Sequence, residues 1–126
     1  DDQAETVLLG LARGSGAASL HGMAGSTPAR AADAVYLRPL LGIRAAVTRA
    51  ACADQGLDPW QDPHNVDTAY ARVRVRHDVL PVLERELGPG IAEALARTAD
   101  QLREDDDALE HFAAEMIEEI ADHAEA

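Results

Sequence analysis

The apolar positions change period along the chain, and each change marks an element. Val7, Leu8, Leu9 and Leu11 give residues 4–13 an apolar run broken only by Gly10, ending at Arg13-Gly14-Ser15-Gly16, where Gly14 suits a left-handed helix cap. A short helix is predicted there. Residues 14–34 are rich in Gly, Ser, Ala and Pro without a period and read as a loop, after which Ala34-Val35-Tyr36-Leu37 reads as a strand stopped by Pro39. Ile43, Ala46, Val47, Ala50 and Ala51 recur at helical spacing over residues 43–55, and Gly56 supplies the cap. Residues 57–66 form an irregular connection, with Asp67 placed to cap the next helix. Val66, Val73, Leu80 and Leu87, with Tyr70 and Leu83 beside them, predict one buried stripe bent at Pro81. Beyond Gly88-Pro89-Gly90, the positions Leu95, Leu102, Leu109 and Met116 repeat every seven residues, flanked by Ile91, Ala99, Phe112 and Ile120. A long amphipathic helix is the simplest account, and a loop, strand and helices in this order fit a mostly helical α/β class.

A chain of 126 residues has room for one small domain or for a piece of a larger one. Its opening Asp1-Asp2-Gln3 carries neither Met nor an apolar leader and reads as the interior of something already folded. No stretch approaches the roughly 18 apolar residues of a membrane-spanning helix, so the cytoplasm is expected. The lone Cys52 can make neither an internal disulfide nor a CxxC metal site, and its helical apolar context predicts a small buried hydrophobe. Formal charge is −12, which argues against a nucleic-acid partner until its distribution is considered. Residues 82–126 hold 14 acidic residues against 3 Arg, whereas residues 1–81 hold 9 against 8 Arg. The N-terminal two thirds are therefore close to neutral, and the acidity of the last helix reads as a solvated face.

Three stretches could carry chemistry. On a helix Asp2 and Glu5 lie three apart and share a face, an arrangement of like charges that needs compensation. Acids at a helix start also interact well with the dipole, and Asp1 or Asp2 suits an N-cap, so paired acids for an ammonium group or Mg²⁺ compete with a capping role. Gly14-Ser15-Gly16 could present backbone N–H groups to a phosphate, but it comes after a helix and lacks a P-loop Lys, which favours a plain turn. Arg72, Arg74 and Arg76 form the one basic cluster; Arg72 and Arg76 share a helix face suited to phosphate oxygens, or they pair internally with Asp62, Asp67 or Asp78. The histidines, at positions 21, 64, 77, 111 and 123, have no zinc-ligand spacing, and no metal site is expected from these residues.

The order of these blocks resembles the tRNA(Ile)-lysidine synthase family, the N-type PP-loop ATPases. The resemblance rests on DDQAET at residues 1–6, LARGSGAASLHGM at 11–23, RPLL at 38–41, WQDPHNVD at 60–67 and ARVRVRHDVLPVLE at 71–84. It implies the C-terminal portion of a PP-loop catalytic domain over residues 1–84 and a helical linker over 85–126. It also implies an activity: ATP adenylates the C2 oxygen of the wobble cytidine in an isoleucine tRNA, and the ε-amine of L-lysine displaces AMP. Asp2 and Glu5 match family acids expected to bind the lysine substrate. Arg72 and Arg76 match the Arg-x-x-x-Arg helix expected to steady phosphate charge or the tRNA, and so are the catalytic candidates. ATP and Mg²⁺ are the implied cofactors. The family's SGGxDS phosphate loop and the His shortly before the acidic motif are not in this sequence, and Val73 stands where the family commonly has Asn. The 126 residues by themselves are therefore expected not to turn over ATP and to bind RNA weakly. A PP-loop tRNA thiolase is a second reading, but its cysteine pairs are not matched by a lone Cys52. A non-catalytic helical module, pairing its acidic helix with a basic partner or as a homodimer, is a third.

Overall fold

The computed structural model describes residues 1–14, 16–29 and 33–125. The Ser15 of the Gly-Ser-Gly turn, and residues 30–32 of the expected loop, lie outside the described residues. The first helix, α1 (Asp2–Ala12), buries Ala4, Val7 and Gly10 on one face. It ends as expected at Gly14, whose φ of 67° is left-handed. The short α2 (Ala17–Leu20) lies directly on α1, because a side chain at Gly10 would sit 3.1 Å from the Ser19 carbonyl oxygen and 3.2 Å from Leu20 Cδ2.

A hairpin comes next. β1 (Ser26–Pro28) pairs antiparallel with β2 (Val35–Leu37) in the register Ser26–Leu37, Thr27–Tyr36 and Pro28–Val35. The second strand matches the expectation to within a residue, whereas β1 and α2 both arise within the stretch read as a loop. Their brevity explains this, since three or four residues cannot show a period. Two short strands are marginal alone, and Arg38 straps them by donating from Nη1 to the Ala24 carbonyl (3.0 Å) and to Thr27 Oγ1 (3.2 Å). The next helix, α3 (Ala45–Asp54), starts two residues later than its apolar pattern suggests and buries none of its residues. Cys52 is accordingly half-buried, not the buried hydrophobe expected.

The second helical unit departs further. Asp67 does not cap it: its carboxylate accepts from the Ala69 N–H (2.9 Å) in a preceding turn, and α4 (Ala71–Arg74) begins after Tyr70. The helix then widens into a π turn (Val75–Val79) before α5 (Leu80–Leu87). Pro81 is the cause, because it donates no N–H and its ring crowds the carbonyl four residues back; an extra residue in the turn relieves both problems. The expected stripe keeps Val73 and Leu80 buried, but Val66 and Tyr70 lie in the turns before α4 and are exposed, as is Leu87 at the end of α5.

The last helix, α6 (Ile91–Glu125), is 35 residues long, roughly 50 Å at the standard rise. Its first turns supply Ala92 and Leu95 to a core shared with Ala4 and Leu8 of α1, Val75 of the π turn and Leu80 of α5, and Ala99, further along the helix, is buried as well. Small residues on α1 and α6 let those helices approach closely. The seven-residue stripe continues past the core into solvent, where Leu109, Phe112, Met116 and Ile120 are exposed. Among the described residues no helix is long and apolar enough to cross a membrane.

The start of α6 is capped from a distance. Glu84 of α5 accepts hydrogen bonds from the N–H groups of Gly90 (2.7 Å) and Ala92 (3.1 Å), satisfying donors that a helix N-terminus leaves open. The Ala92 hydrogen bond, together with those of Gly90 and Ile91 and the nearby Arg44 charge, holds the Glu84 carboxyl below the usual glutamate range. A carboxyl whose folded pKa is depressed contributes stability above its unfolded pKa, and loses it as pH falls through the folded value. Glu84→Gln is therefore expected to melt at a lower temperature than the parent at pH 7. The gap should narrow once the pH drops below the ordinary glutamate range, and thermal unfolding monitored by circular dichroism at both pH values measures it.

Candidate functional site

The acids of α1 and the arginines of the bent helix meet. Glu5 is fully buried, and both of its carboxylate oxygens accept from guanidinium groups: Oε1 from Arg76 Nε at 2.6 Å, Oε2 from Arg76 Nη2 at 3.0 Å and from Arg72 Nη1 at 3.3 Å. Arg76 Nη2 also reaches Asp2 Oδ1 at 3.2 Å, and Arg72 Nη2 donates to Thr6 Oγ1 at 3.1 Å. One guanidinium thus spans the two acids, which supplies the compensation their shared face requires. Its hydrogen bond to Glu5 is the main reason the Arg76 pKa is raised, with the charges of Glu5 and Asp2 adding to it, so the group stays cationic.

The four residues singled out in the sequence differ in what they leave open. Glu5 has no free oxygen. Asp2 is largely exposed and has Oδ2 unengaged among the described residues, and Arg76 likewise keeps Nη1 free of hydrogen bonds there. The third arginine of the cluster, Arg74, turns away and donates from Nη1 to the Thr68 (2.6 Å) and Ala69 (2.9 Å) carbonyls, closing the turn before α4. The internal partners of the cluster are Asp2 and Glu5, and among the described residues none is Asp62, Asp67 or Asp78.

Beside this network lies a cleft of about 510 Å³, bounded by Asp2 and Glu5, by Arg76 and Glu84 of the bent helix, and by Arg44 and Arg49 at α3. Sequence reasoning missed what holds α3 there. Asp1 caps that helix and not its own: its Oδ2 accepts from the Ala45 N–H at 2.8 Å and its Oδ1 from Arg44 Nε at 3.2 Å, while Arg44 Nη1 pairs with Glu93 of α6 at 2.7 Å. The two partners are 44 residues apart, too far for a local capping pattern to reveal. Gln3 was missed as well. Its buried amide donates to the Met23 carbonyl (2.8 Å) and accepts from the Met23 N–H (2.7 Å), and Arg103 of α6 donates to the carbonyls of His21 and Met23. These bonds fix the turn after α2 to both long helices. Among the described residues no group of three His, Cys, Asp or Glu side chains is placed to hold a metal.

A buried carboxylate shared by two arginines should be asymmetric in its energetics. Glu5→Gln keeps the shape but leaves two guanidinium groups without their counter-charge, and is expected to destabilise the fold by about 2–4 kcal/mol. Arg72→Gln should cost about 1 kcal/mol or less, because Arg76 still holds both oxygens. Chemical denaturation compares the two; equal losses would mean that Glu5 is not the hub.

Comparison with known proteins supplies the family. A family model described as a PP-loop domain matches residues 1–83. The chain is 65% identical over 125 residues to the tRNA(Ile)-lysidine synthase of Leifsonia xyli, covering 99% of this chain and 36% of that protein. It is 61% identical over 117 residues to the Rhodococcus erythropolis protein of the same name, covering 93% and 34%. Against that of Mycobacterium leprae it is 57% identical over 120 residues, covering 95% and 35%. It spans about a third of the length of these curated relatives. With two thirds of its residues matched by that model and the acid–arginine network assembled within them, the chain belongs to the PP-loop domain family.

Proposed function

We propose that this chain is part of a tRNA(Ile)-lysidine synthase, an ATP-dependent ligase that joins L-lysine to the wobble cytidine of an isoleucine tRNA. The observation that carries the reading is the convergence of Asp2 and Glu5 with Arg72 and Arg76 at the edge of one cleft, in a chain 57–65% identical to proteins of that name. That identity does not favour either a different PP-loop enzyme or a non-catalytic module. In this reading residues 1–84 are the C-terminal portion of the catalytic domain, residues 85–126 the helical linker, and the cytoplasm the site of action.

The reaction needs a cytidine C2 oxygen made into a leaving group and an amine to replace it. ATP would supply the first by transferring its adenylyl group to that oxygen with release of pyrophosphate; the neutral lysine ε-amine would then form the new bond at C2 as the bond to the AMP-bearing oxygen breaks, AMP departing and the extra proton on nitrogen passing to solvent. The roles of this chain's residues depend on their openness. Asp2 and Glu5 form the acidic wall that receives the lysine ammonium, with the free oxygen of Asp2 making the contact and Glu5 setting the guanidinium groups behind it. Arg76, through its unengaged Nη1, and the half-exposed Arg72 face the negative charge that develops on the departing phosphate. Among the described residues, those that line the cleft do not by themselves make a Mg²⁺ site: Asp1 and Glu84 are committed to helix N-termini and Glu5 to guanidinium groups, which leaves Asp2 as the lining carboxylate with an open oxygen.

In the complete enzyme, Asp2→Asn is expected to raise KM for lysine about tenfold or more, the loss of one charge-assisted hydrogen bond, with KM for ATP nearly unchanged. Steady-state incorporation of labelled lysine into tRNA tests this, and an unaltered lysine dependence would remove Asp2 from the site.

A homodimer is a secondary part of the proposal, supported by the exposed stripe of Leu109, Phe112, Met116 and Ile120 on α6. Residues 104–123 carry nine acids and no Arg or Lys, so pairing two such helices brings like charges together. Association should therefore strengthen as salt is raised and vanish in Met116→Glu, which light scattering over a range of concentrations reads out.

A further inference from the structure

The cleft beside the acid–arginine network contains a cation that the proposed chemistry does not use. Arg44, Arg49 and Arg76 all line it. Arg44 is committed to Asp1 and Glu93, and Arg76 to Glu5 and Asp2. Arg49, projecting from the middle of α3, has neither an ion pair nor a side-chain hydrogen bond among the described residues. The anionic side is similar. Asp1 and Glu84 cap helices and Glu5 is enclosed, so Asp2 is the carboxylate left with an open oxygen. The cleft therefore offers one uncommitted guanidinium and one uncommitted carboxylate oxygen, both already held on helices.

A ligand that satisfies both must carry both signs of charge. A free amino acid does so. As the ligand shared by Arg49 and Asp2, a free phosphate is less well matched, because it brings no positive charge for the open Asp2 oxygen and carries more negative charge than the single uncommitted guanidinium offsets. A singly charged carboxylate borne by a molecule that also brings ammonium groups meets no such opposition, and Arg presents the planar fork that carboxylates accept. We propose that Arg49 binds the α-carboxylate of the amino-acid substrate, while Asp2 receives its ammonium. This rests on the lysine-ligase reading above and extends it: Arg49 selects an amino acid over a simple amine.

The test compares L-lysine with cadaverine, the same chain of amines without the carboxylate, as nucleophiles for the complete enzyme with ATP and isoleucine tRNA. The wild-type enzyme is expected to show a KM for cadaverine about tenfold or more above that for lysine, the worth of one charge-assisted contact. Arg49→Gln should raise KM for lysine to about the cadaverine value and leave cadaverine itself unaffected, while Arg49→Lys should retain most of the preference. A wild-type enzyme that uses both amines equally well, or an R49Q enzyme that still prefers lysine, overturns the assignment. So does an R49Q enzyme whose defect appears in KM for ATP or tRNA with the lysine preference intact, since that would place a phosphate on Arg49. A wild-type enzyme that joins neither amine to tRNA counts against the ligase reading itself, which keeps the two failures distinct. Arg49 is exposed and makes no hydrogen bond through its side chain among the described residues, and matching melting temperatures for wild type and R49Q confirm that binding, not folding, is measured.

Discussion

A carboxylate with no access to water governs how this chain is put together. Removing an ionised glutamate from solvent costs several kcal/mol unless opposite charge and hydrogen bonds replace what water gave it. Glu5 meets that requirement only when the bent helix is docked, because its partners Arg72 and Arg76 lie 67 and 71 residues further along. Docking then has consequences beyond Glu5 itself. It brings Arg76 to Asp2, leaves one face of each group open, and defines an edge of the cleft. The same ion-pair network that completes the fold therefore sets the geometry of the site.

The rest of the architecture obeys a related logic, in which polar clamps do what a larger apolar core would otherwise do. The buried hydrophobic residues among those described are few and several are alanines, which bring helices close but bury little surface each. Long-range polar contacts supplement them. Asp1 seats α3, Glu84 seats α6, and Gln3 with Arg103 seats the turn at residues 21–23. That turn also explains Gly22: its φ is 65°, and a side chain there would meet Gln3 Oε1 at 2.5 Å. Each of these clamps joins an element to α1 or α6, so the two helices act as the frame on which the cleft is hung.

What could be read in the sequence divides along the same line. Periodicity revealed α1, the region of α3, the second strand and the long helix, since each depends on a local pattern of apolar residues or a glycine stop. It overstated the buried stripe of residues 66–87, because the helix begins only at Ala71, which leaves Val66 and Tyr70 in the turns before it, and Leu87 ends α5 in solvent. The acid pair and the Arg-x-x-x-Arg pair were visible separately as faces of helices. Their meeting was not, since nothing local joins residue 5 to residue 76, and it entered only through the resemblance of ordered blocks. Asp1 signalled only a cap on its own helix and not the α3 N-terminus it actually meets, while Glu84 and the cleft position of Arg49 carried no local signal, because both depend on elements brought together in the fold.

Net charge is a further place where position matters more than total. A value of −12 taken over the whole chain suggests repulsion of any polyanion. Most of that charge, however, sits on α6, which leaves the core after Ala99 and continues into solvent. Glu104, where the densest acidic run begins, lies 12 residues beyond Ala92 at the cleft, roughly 18 Å along the helix. That is about twice the screening length at physiological salt. The acids of the outer helix therefore contribute little to the potential at the cleft, which is set by its own nearly balanced carboxylates and guanidinium groups. Arg72 and Arg76 stay half-exposed beside the cleft, so their guanidinium groups remain accessible despite the acidity of the chain as a whole.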